Sequence, residues 1–338
     1  MFISSIGHHN EHTQFHVAIS NTQNRSDAQG MKKKSNTKQL TYISLASVLI
    51  IWGIVPVFLK KLLFIFTPVE LTFTRFFTAA SIYLAFVMFK KRAEAARMLR
   101  DDFKLFALIT LFSPITPMLL FNYGILNVTV GTASVFVAIE PLLVYFIATI
   151  TGREKWVPGR MVSIFLSMAG VVLVTLSRET WGIDWWISLM FVIMTPIAWT
   201  INTVISKEIV DRYSPTVLLA LPCMIASLCL IPALSENYIP AILSMEWSIW
   251  LALGFCIFPG MIFGFTVWYW CLSRMEASTV TASLYLVPIV TTSGGVFFLG
   301  EPISWLKGAG VLIAISGLYL LHFRYSPEKH VRPSPAPE

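Results

Sequence analysis

Between residues 42 and 323 the chain is written in solid apolar blocks, divided by short turns that hold most of its charges. The blocks run to roughly twenty residues, the length a helix needs to cross about 30 Å of hydrocarbon. Breaks at charged, Pro-bearing or Gly-bearing turns define ten spans: 42–62, 69–89, 104–124, 128–150, 158–177, 186–206, 215–234, 248–271, 277–299 and 304–323. The blocks do not alternate apolar and polar residues, as the roughly 10-residue strands of a membrane barrel would. The pattern therefore predicts an all-α integral membrane protein of ten transmembrane helices. Residues 1–40 and 324–338 are polar tails, and the first reads as disordered.

Composition agrees with the pattern. Charged residues make up 13% of the chain, against about 25% in soluble domains, and mean hydropathy is +0.70. A net charge of +7 then points to loops facing anionic lipid and not to nucleic acid. Cys223, Cys229, Cys256 and Cys271 fall inside apolar blocks, without metal or disulfide spacing, and read as small core hydrophobes. The first apolar run is too long to be only a secretory signal core and reads as a membrane helix. Met31 followed by Lys32, Lys33 and Lys34 resembles a cytoplasmic start, which makes the preceding segment a disordered extension or a misplaced initiation site. His8, His9, His12 and His16 lie in that segment. Polar tails seldom fold around a site, and His-Asn-Glu-His lacks the spacing of a zinc-protease helix. No metal and no cofactor are expected.

Lys and Arg set the direction. With the N-terminus cytoplasmic, the inner loops hold Lys90, Lys91, Arg92, Arg97, Arg100, Lys104, Arg153, Lys155, Arg160, Lys207, Arg212 and Arg274. The outer loops hold only Lys60, Lys61, Arg178 and Lys307. This positive-inside asymmetry predicts both termini in the cytoplasm of a plasma (inner) membrane protein.

The blocks also repeat at a constant offset of 147 residues. Trp52 maps onto Trp199, Lys60 onto Lys207, Pro68 onto Pro215, Pro141 onto Pro288, Glu154 onto Glu301, Arg160 onto Lys307 and Gly170 onto Gly317. Five spans per copy is an odd number, so the second copy must enter the membrane in the opposite sense. The organisation predicted is an inverted pair of five-helix repeats, 41–178 and 186–323, with Glu154 facing the cytoplasm and Glu301 facing out. Two inverted halves can exchange conformations across the membrane, which is the basis of alternating access.

These landmarks carry a resemblance. The first copy shows Trp52-Gly53, Pro68, Arg75-Phe76, Tyr123-Gly124, an interior Pro141, Gly152-Arg153-Glu154 and a closing Gly170. The second answers with Ala198-Trp199, Pro215, Pro288, Gly300-Glu301 and Gly317. Each copy resembles an EamA domain of the drug/metabolite transporter superfamily. The resemblance implies a ten-helix carrier with a central cavity between its halves, moving small metabolites, often outward. The chain departs from strict symmetry where Arg75 is matched by Pro222 and Glu140 by Val287. The frame is symmetric and the charge is not.

Glu140 is the most unusual residue of the apolar portion. It lies about 18 Å along its span at 1.5 Å per residue, where a carboxylate costs about 2.5–3.5 kcal/mol on insertion scales. It reads either as a proton-coupling or substrate-amine site or as a paired helix-packing group. Pro141 removes a backbone donor beside it, and Pro288 does the same at the mirrored position. Such breaks are tolerated where they line a cavity or pack on protein. Around Pro288 stand Thr279, Thr281, Ser283, Tyr285, Thr291, Thr292 and Ser293, hydroxyls that either solvate a ligand or cap the freed carbonyls. Arg75 lies about 10 Å from the outer face and either snorkels outward or points inward to hold an anion or Glu140. Glu70 reads as an interfacial helix-start acid.

Trp181, Trp185 and Trp186 read as interfacial belt residues. Trp52 and Trp199 lie mid-span at equivalent places. With the matched pair Tyr123 and Trp270 they either line the cavity, stacking on a ligand, or only pack. Asn122 and Asn202 add polar groups on the same helices. Ser163 and Ser167 match Gly310 and Ala314 as small-residue faces, suited to packing within the bundle or to a homodimer.

Without a Walker-type phosphate loop the chain is not an ATP-driven pump on its own. A polytopic enzyme would gather several His, Asp or Glu at one depth, and a sensor or scaffold would need a larger extramembrane surface than the basic, helix-like stretch 90–103. The reading is a secondary transporter, not an enzyme, exporting a small amphiphilic metabolite such as an amino acid. Its partners are that small molecule and the lipid bilayer.

Overall fold

The computed structural model describes residues 39–152, 158–176, 182–210, 212–275, 277–302 and 304–320. The histidine-bearing tail, Glu154, Arg178, Trp181 and the side chain of Tyr285 lie outside the described residues. Two compact units are present, Met1–Ala46 and Ser47–Glu338. The described part of the first is the opening of one helix.

The elements in order are α1 (Gln39–Leu62), α2 (Pro68–Lys90), α3 (Arg92–Asp101), α4 (Phe103–Leu111), α5 (Ile115–Gly124), α6 (Val130–Val137), α7 (Glu140–Ile150) and α8 (Pro158–Leu176). They continue as α9 (Ile183–Ile209), α10 (Pro215–Leu228), α11 (Tyr238–Leu243), α12 (Trp247–Ile257), α13 (Gly264–Leu272), α14 (Ala277–Ala282), α15 (Val287–Leu299) and α16 (Trp305–Tyr319). No strand occurs among the described residues.

Six helical stretches are long and apolar enough to cross a membrane: Gln39–Leu62, Pro68–Lys90, Phe103–Gly124, Val130–Ile150, Ile183–Ile209 and Trp247–Leu272. Four shorter apolar helices accompany them: Phe165–Val174, Pro215–Leu228, Val287–Leu299 and Trp305–Gly317. Large apolar side chains crowd the outside; Phe89 is 88% exposed and Trp305 83%. In water such a surface would aggregate, and in a bilayer it faces lipid. The molecule is a multi-pass membrane protein.

Local sequence explains the helix ends. Thr67 caps α2 in a capping box, accepting from the Glu70 N–H while Glu70 accepts from the Thr67 N–H, with Pro68 in the first turn. Thr129 and Ser304 cap α6 and α16. Gly300, at φ 63°, closes α15 in the left-handed conformation. Four long helices are interrupted, each beside a proline: α4/α5 at Pro114, α6/α7 before Pro141, α12/α13 through a π-helical turn at Phe258–Phe263 containing Pro259, and α14/α15 through a 3₁₀ turn at Ser283–Leu286 before Pro288. A missing N–H opens the helical ladder at each place.

Equivalent helices α8 and α16 pack along each other, as do α2 and α10. The broken spans cross over: α6 lies against α15, the counterpart of α7, and α7 against α14, the counterpart of α6. At the first contact a Cβ on Gly170 would sit 2.3 Å from the Ala314 nitrogen, so only glycine permits the approach. Ser167 donates to the carbonyl of Ala314, its own counterpart in the other repeat, at 3.3 Å. The small-residue faces of these helices are thus used inside the bundle.

Two connections differ from expectation. α10 stops at Leu228, short of 234, because a 3₁₀ turn forms at Ile231–Ala233 around Pro232. The segment 235–247, which lies between the expected spans 215–234 and 248–271, contains α11. It is fastened to the start of α2, where Glu70 accepts from Ser235 Oγ at 2.5 Å and Thr74 pairs with the Tyr238 hydroxyl at 2.9 Å. Of the cysteines, Cys223, Cys256 and Cys271 are buried, whereas Cys229 is exposed just beyond α10 and is no core residue.

Candidate functional site: a cavity between the repeats

The broken helices surround a narrow, partly open cavity, with room of about 80 Å³ for the centre of a water-sized sphere. From the first repeat Trp52, Arg75, Met118, Phe121, Ser134, Val137 and Glu140 line it; from the second come Trp199, Phe265, Trp268, Leu284 and Val287. Five pairs on this wall keep the 147-residue offset: Trp52/Trp199, Met118/Phe265, Phe121/Trp268, Val137/Leu284 and Glu140/Val287. The cavity is therefore built from equivalent positions, one set from each repeat.

Its walls are aromatic. The Trp52 ring lies 5.3 Å from Phe265 and 5.2 Å from Trp268, and Trp199 lies 5.7 Å from Phe265. The π-helical turn makes this possible. Trp52 Nε1 donates to the carbonyl of Gly260 inside that turn at 2.8 Å. A Cβ on Gly264 would lie 2.4 Å from the same nitrogen. The indole is held at its polar tip and presents its apolar body.

Two charged side chains reach the same space, and both are 2% exposed. Glu140 leads α7 and accepts a hydrogen bond from Thr203 Oγ1 of α9 at 2.8 Å. Arg75, in mid-α2, points inward; its Nη1 lies 3.8 Å from the Met118 sulfur, and its Nε has no hydrogen-bond partner. The two do not form an ion pair with each other. Pro141 and Pro288 sit in the first turns of α7 and α15, immediately after the breaks.

The remaining sequence-derived candidates are placed elsewhere. Tyr123 stacks on Phe191 at 5.1 Å, and Trp270 lies under the Arg274 guanidinium at 4.3 Å. Neither lines the cavity, a correction to the expected wall. The physical reason is angular, since two residues turn a helix by about 200°, so Trp268 faces in and Trp270 out. Asn122 and Asn202 are fasteners and not lining: Asn122 Nδ2 donates to Thr72 at 2.9 Å, and Asn202 bridges the Phe112 carbonyl and the Tyr269 hydroxyl. The hydroxyl of Thr291 donates to the Gly53 carbonyl at 2.8 Å. Met118, Phe121, Phe265 and Trp268 are the large wall residues that sequence reasoning missed, with Ser134, Val137, Leu284 and Val287 beside them. The signal for the first four was the offset itself, applied two and five residues earlier than at Tyr123.

The chain is similar to known transporters. A family model described as the EamA-like transporter family matches residues 39–176 and again 186–323. An uncharacterized transporter of Archaeoglobus fulgidus is 26% identical over 83% of this chain and 98% of its own length. A probable amino-acid metabolite efflux pump of Escherichia coli is 22% identical over 84% of this chain and 95% of its own. A probable terminal-alkyne amino-acid exporter of Streptantibioticus cattleyicolor is 26% identical over 61% of this chain and 68% of its own. A solved crystal structure is similar in fold, with a TM-score of 0.62 at 14% identity, over 86% of this chain and 99% of that one.

Proposed function

Because the chain belongs to the EamA-like transporter family, we propose that it is a secondary transporter exporting a small amphiphilic metabolite, an amino acid or a related compound. Ten spans form two inverted five-helix repeats, 41–178 and 186–323, in the plasma membrane with both termini cytoplasmic. The substrate binds in the central cavity, and the repeats rock about it to expose it to each side in turn. The single observation that carries this reading is the pairing of two buried, mutually unpaired charges, Arg75 and Glu140, with aromatic walls in one cavity between the repeats. Intramembrane ionisable groups facing a cavity mark substrate or ion pathways. The names of the relatives, exporter and efflux pump, support carriage over catalysis and the outward direction.

In this scheme Trp52, Trp199, Phe265 and Trp268 hold the apolar body of the substrate, and Arg75 and Glu140 meet its polar end. Pro141 and Pro288 keep the helices broken beside the site. Glu140 couples transport to protons in this reading, exchanging a proton for a substrate amine.

The test is flux of labelled amino acids through purified protein in liposomes, with and without an imposed pH gradient. Protein-dependent flux that responds to the gradient is expected, with Glu140→Gln abolishing the response. An unchanged pH response in Glu140→Gln removes the coupling role. If no metabolite moves, and none changes distribution between cells lacking and overproducing the protein, the carrier reading falls.

A further inference from the structure

Among the described residues, Lys60, Lys207, Lys307 and Arg75 project from their helices toward other parts of the protein, and the three lysines are met by protein oxygens. Lys60 donates to the carbonyls of Ile125 and Leu126 at the end of α5. Lys207 donates to those of Leu272 and Met275 at the end of α13. Lys307 lies 3.8 Å from the Glu301 carboxylate and donates to Thr129 at 3.1 Å. Arg75 has no such answer. It is the largest of the almost fully buried side chains; its neighbour is a thioether, its Nε is an orphan, and among the described residues no carboxylate lies within ion-pairing distance. A buried guanidinium without a counter-ion is a costly arrangement, and at this one place the chain leaves it uncorrected.

We propose that the missing counter-ion is the substrate's own carboxylate, and that the substrate class is an organic monocarboxylate with an apolar body, bound through Arg75 whether or not it bears an amine. This inference rests on the carrier reading above and narrows it. The guanidinium fork matches a carboxylate with two parallel hydrogen bonds. One Arg among Met118, Phe121 and the tryptophans balances one negative charge, so a phosphate dianion would remain half unpaired. Glu140 is differently placed. One of its oxygens is already engaged by Thr203, so an amine is an optional contact and the carboxylate the required one.

The experiment uses the purified full-length protein and matched triplets built on leucine, phenylalanine and tryptophan: the free amino acid, its N-acetyl derivative and its amide. The amide keeps the body and the amine and loses the carboxylate. Flux in liposomes and the shift of the unfolding midpoint in detergent are both read. In at least one triplet the two acids should outperform the amide by about tenfold or more in apparent affinity. Arg75→Lys should keep the preference for acids with weaker binding, and Arg75→Gln should lose it. Should Arg75→Gln fail to fold, the wild-type triplets and Arg75→Lys decide. Amides recognised as well as acids, or an acid preference that survives in Arg75→Gln, overturns the assignment while leaving the carrier reading intact. Recognition of the free amino acid alone also overturns it, because the amine would then be required. If no member binds or moves, the carboxylate assignment falls, while the carrier reading stands or falls on the comparison of metabolites between cells lacking and overproducing the protein.

Discussion

Lys207 donates to the carbonyl of Leu272 at 2.6 Å, and Lys60, 147 residues earlier, donates to Ile125, 147 residues before Leu272. The second partners keep the offset as well: Met275 for Lys207 and Val128 for Lys60. In both repeats an ammonium closes the negative end of a helix whose last carbonyls have no partner. Lys207→Met leaves those carbonyls unpaired and is expected to cost about 1–3 kcal/mol. It should appear as a lower unfolding midpoint in detergent, with Lys60→Met acting in the same direction. Midpoints unchanged in both variants would show that the caps contribute nothing.

Gly170 and Gly254 offer a matched contrast. An added Cβ at Gly170 meets the Ala314 nitrogen at 2.3 Å and the Gly310 oxygen at 2.5 Å, both backbone atoms that cannot rotate away. Gly170→Ala must push α8 from α16, at or above the upper end of the about 1–3 kcal/mol typical of overpacking. At Gly254, within α12, a Cβ meets nothing within 4 Å, and alanine there should be neutral or stabilising by up to about 1 kcal/mol. Size-exclusion profiles and detergent melts of the two variants test the pair. Equal behaviour would contradict the packing described for α8 and α16.

How far the sequence carries depends on which physical rule each feature obeys. Apolar blocks and the repeat are one-dimensional properties, so the all-helical membrane class and the equivalence of Lys60 with Lys207 could be read directly. The inward choice of Arg75 could not, because a long side chain at that depth reaches either interface or cavity. The wall pair Phe121 and Trp268 was missed in favour of Tyr123 and Trp270 for a related reason. The offset gives equivalence but not phase, and the π-helical turn at Phe258–Phe263 resets the phase of α13. α11 escaped notice because six residues, Tyr238–Leu243, are too few for a periodic signal.

At the opposite end of α2 from α11, α3 is held to the turn between α9 and α10. The Tyr213 hydroxyl donates to Asp102 Oδ2 at 2.8 Å, Arg212 pairs with the other oxygen at 3.1 Å, and Arg97 lies over the Tyr213 ring. Burial, and then the hydrogen bond to Asp102, hold the Tyr213 phenol above its ordinary pKa. A folded-state value above the unfolded one means the contribution is complete below about pH 10 and is lost as pH rises through the raised value. Tyr213→Phe should therefore lower the unfolding midpoint at pH 7 by an amount equivalent to about 1 kcal/mol. The difference between variant and wild type should shrink at strongly alkaline pH. A difference that grows with pH would contradict the direction of the shift.

Trp268 and Trp270 separate cavity wall from outer packing on a single helix. Trp268 is buried, 5.2 Å from Trp52, and lines the cavity; Trp270 is half-buried beneath Arg274. If the cavity carries the substrate, Trp268→Ala removes one wall of its apolar enclosure. Loss of a buried aromatic contact worth about 1.5–3 kcal/mol corresponds to a weakening of apparent affinity by about ten- to a hundredfold. Phe265→Ala should act similarly, because its ring stands between Trp52 and Trp199. Trp270→Ala should leave affinity within about twofold, since what it loses is a partly exposed cation–π contact. Concentration dependence of flux in liposomes measures all three. Should Trp270→Ala weaken affinity more than Trp268→Ala, the substrate path lies outside the cavity, on the side of α13 that faces Arg274.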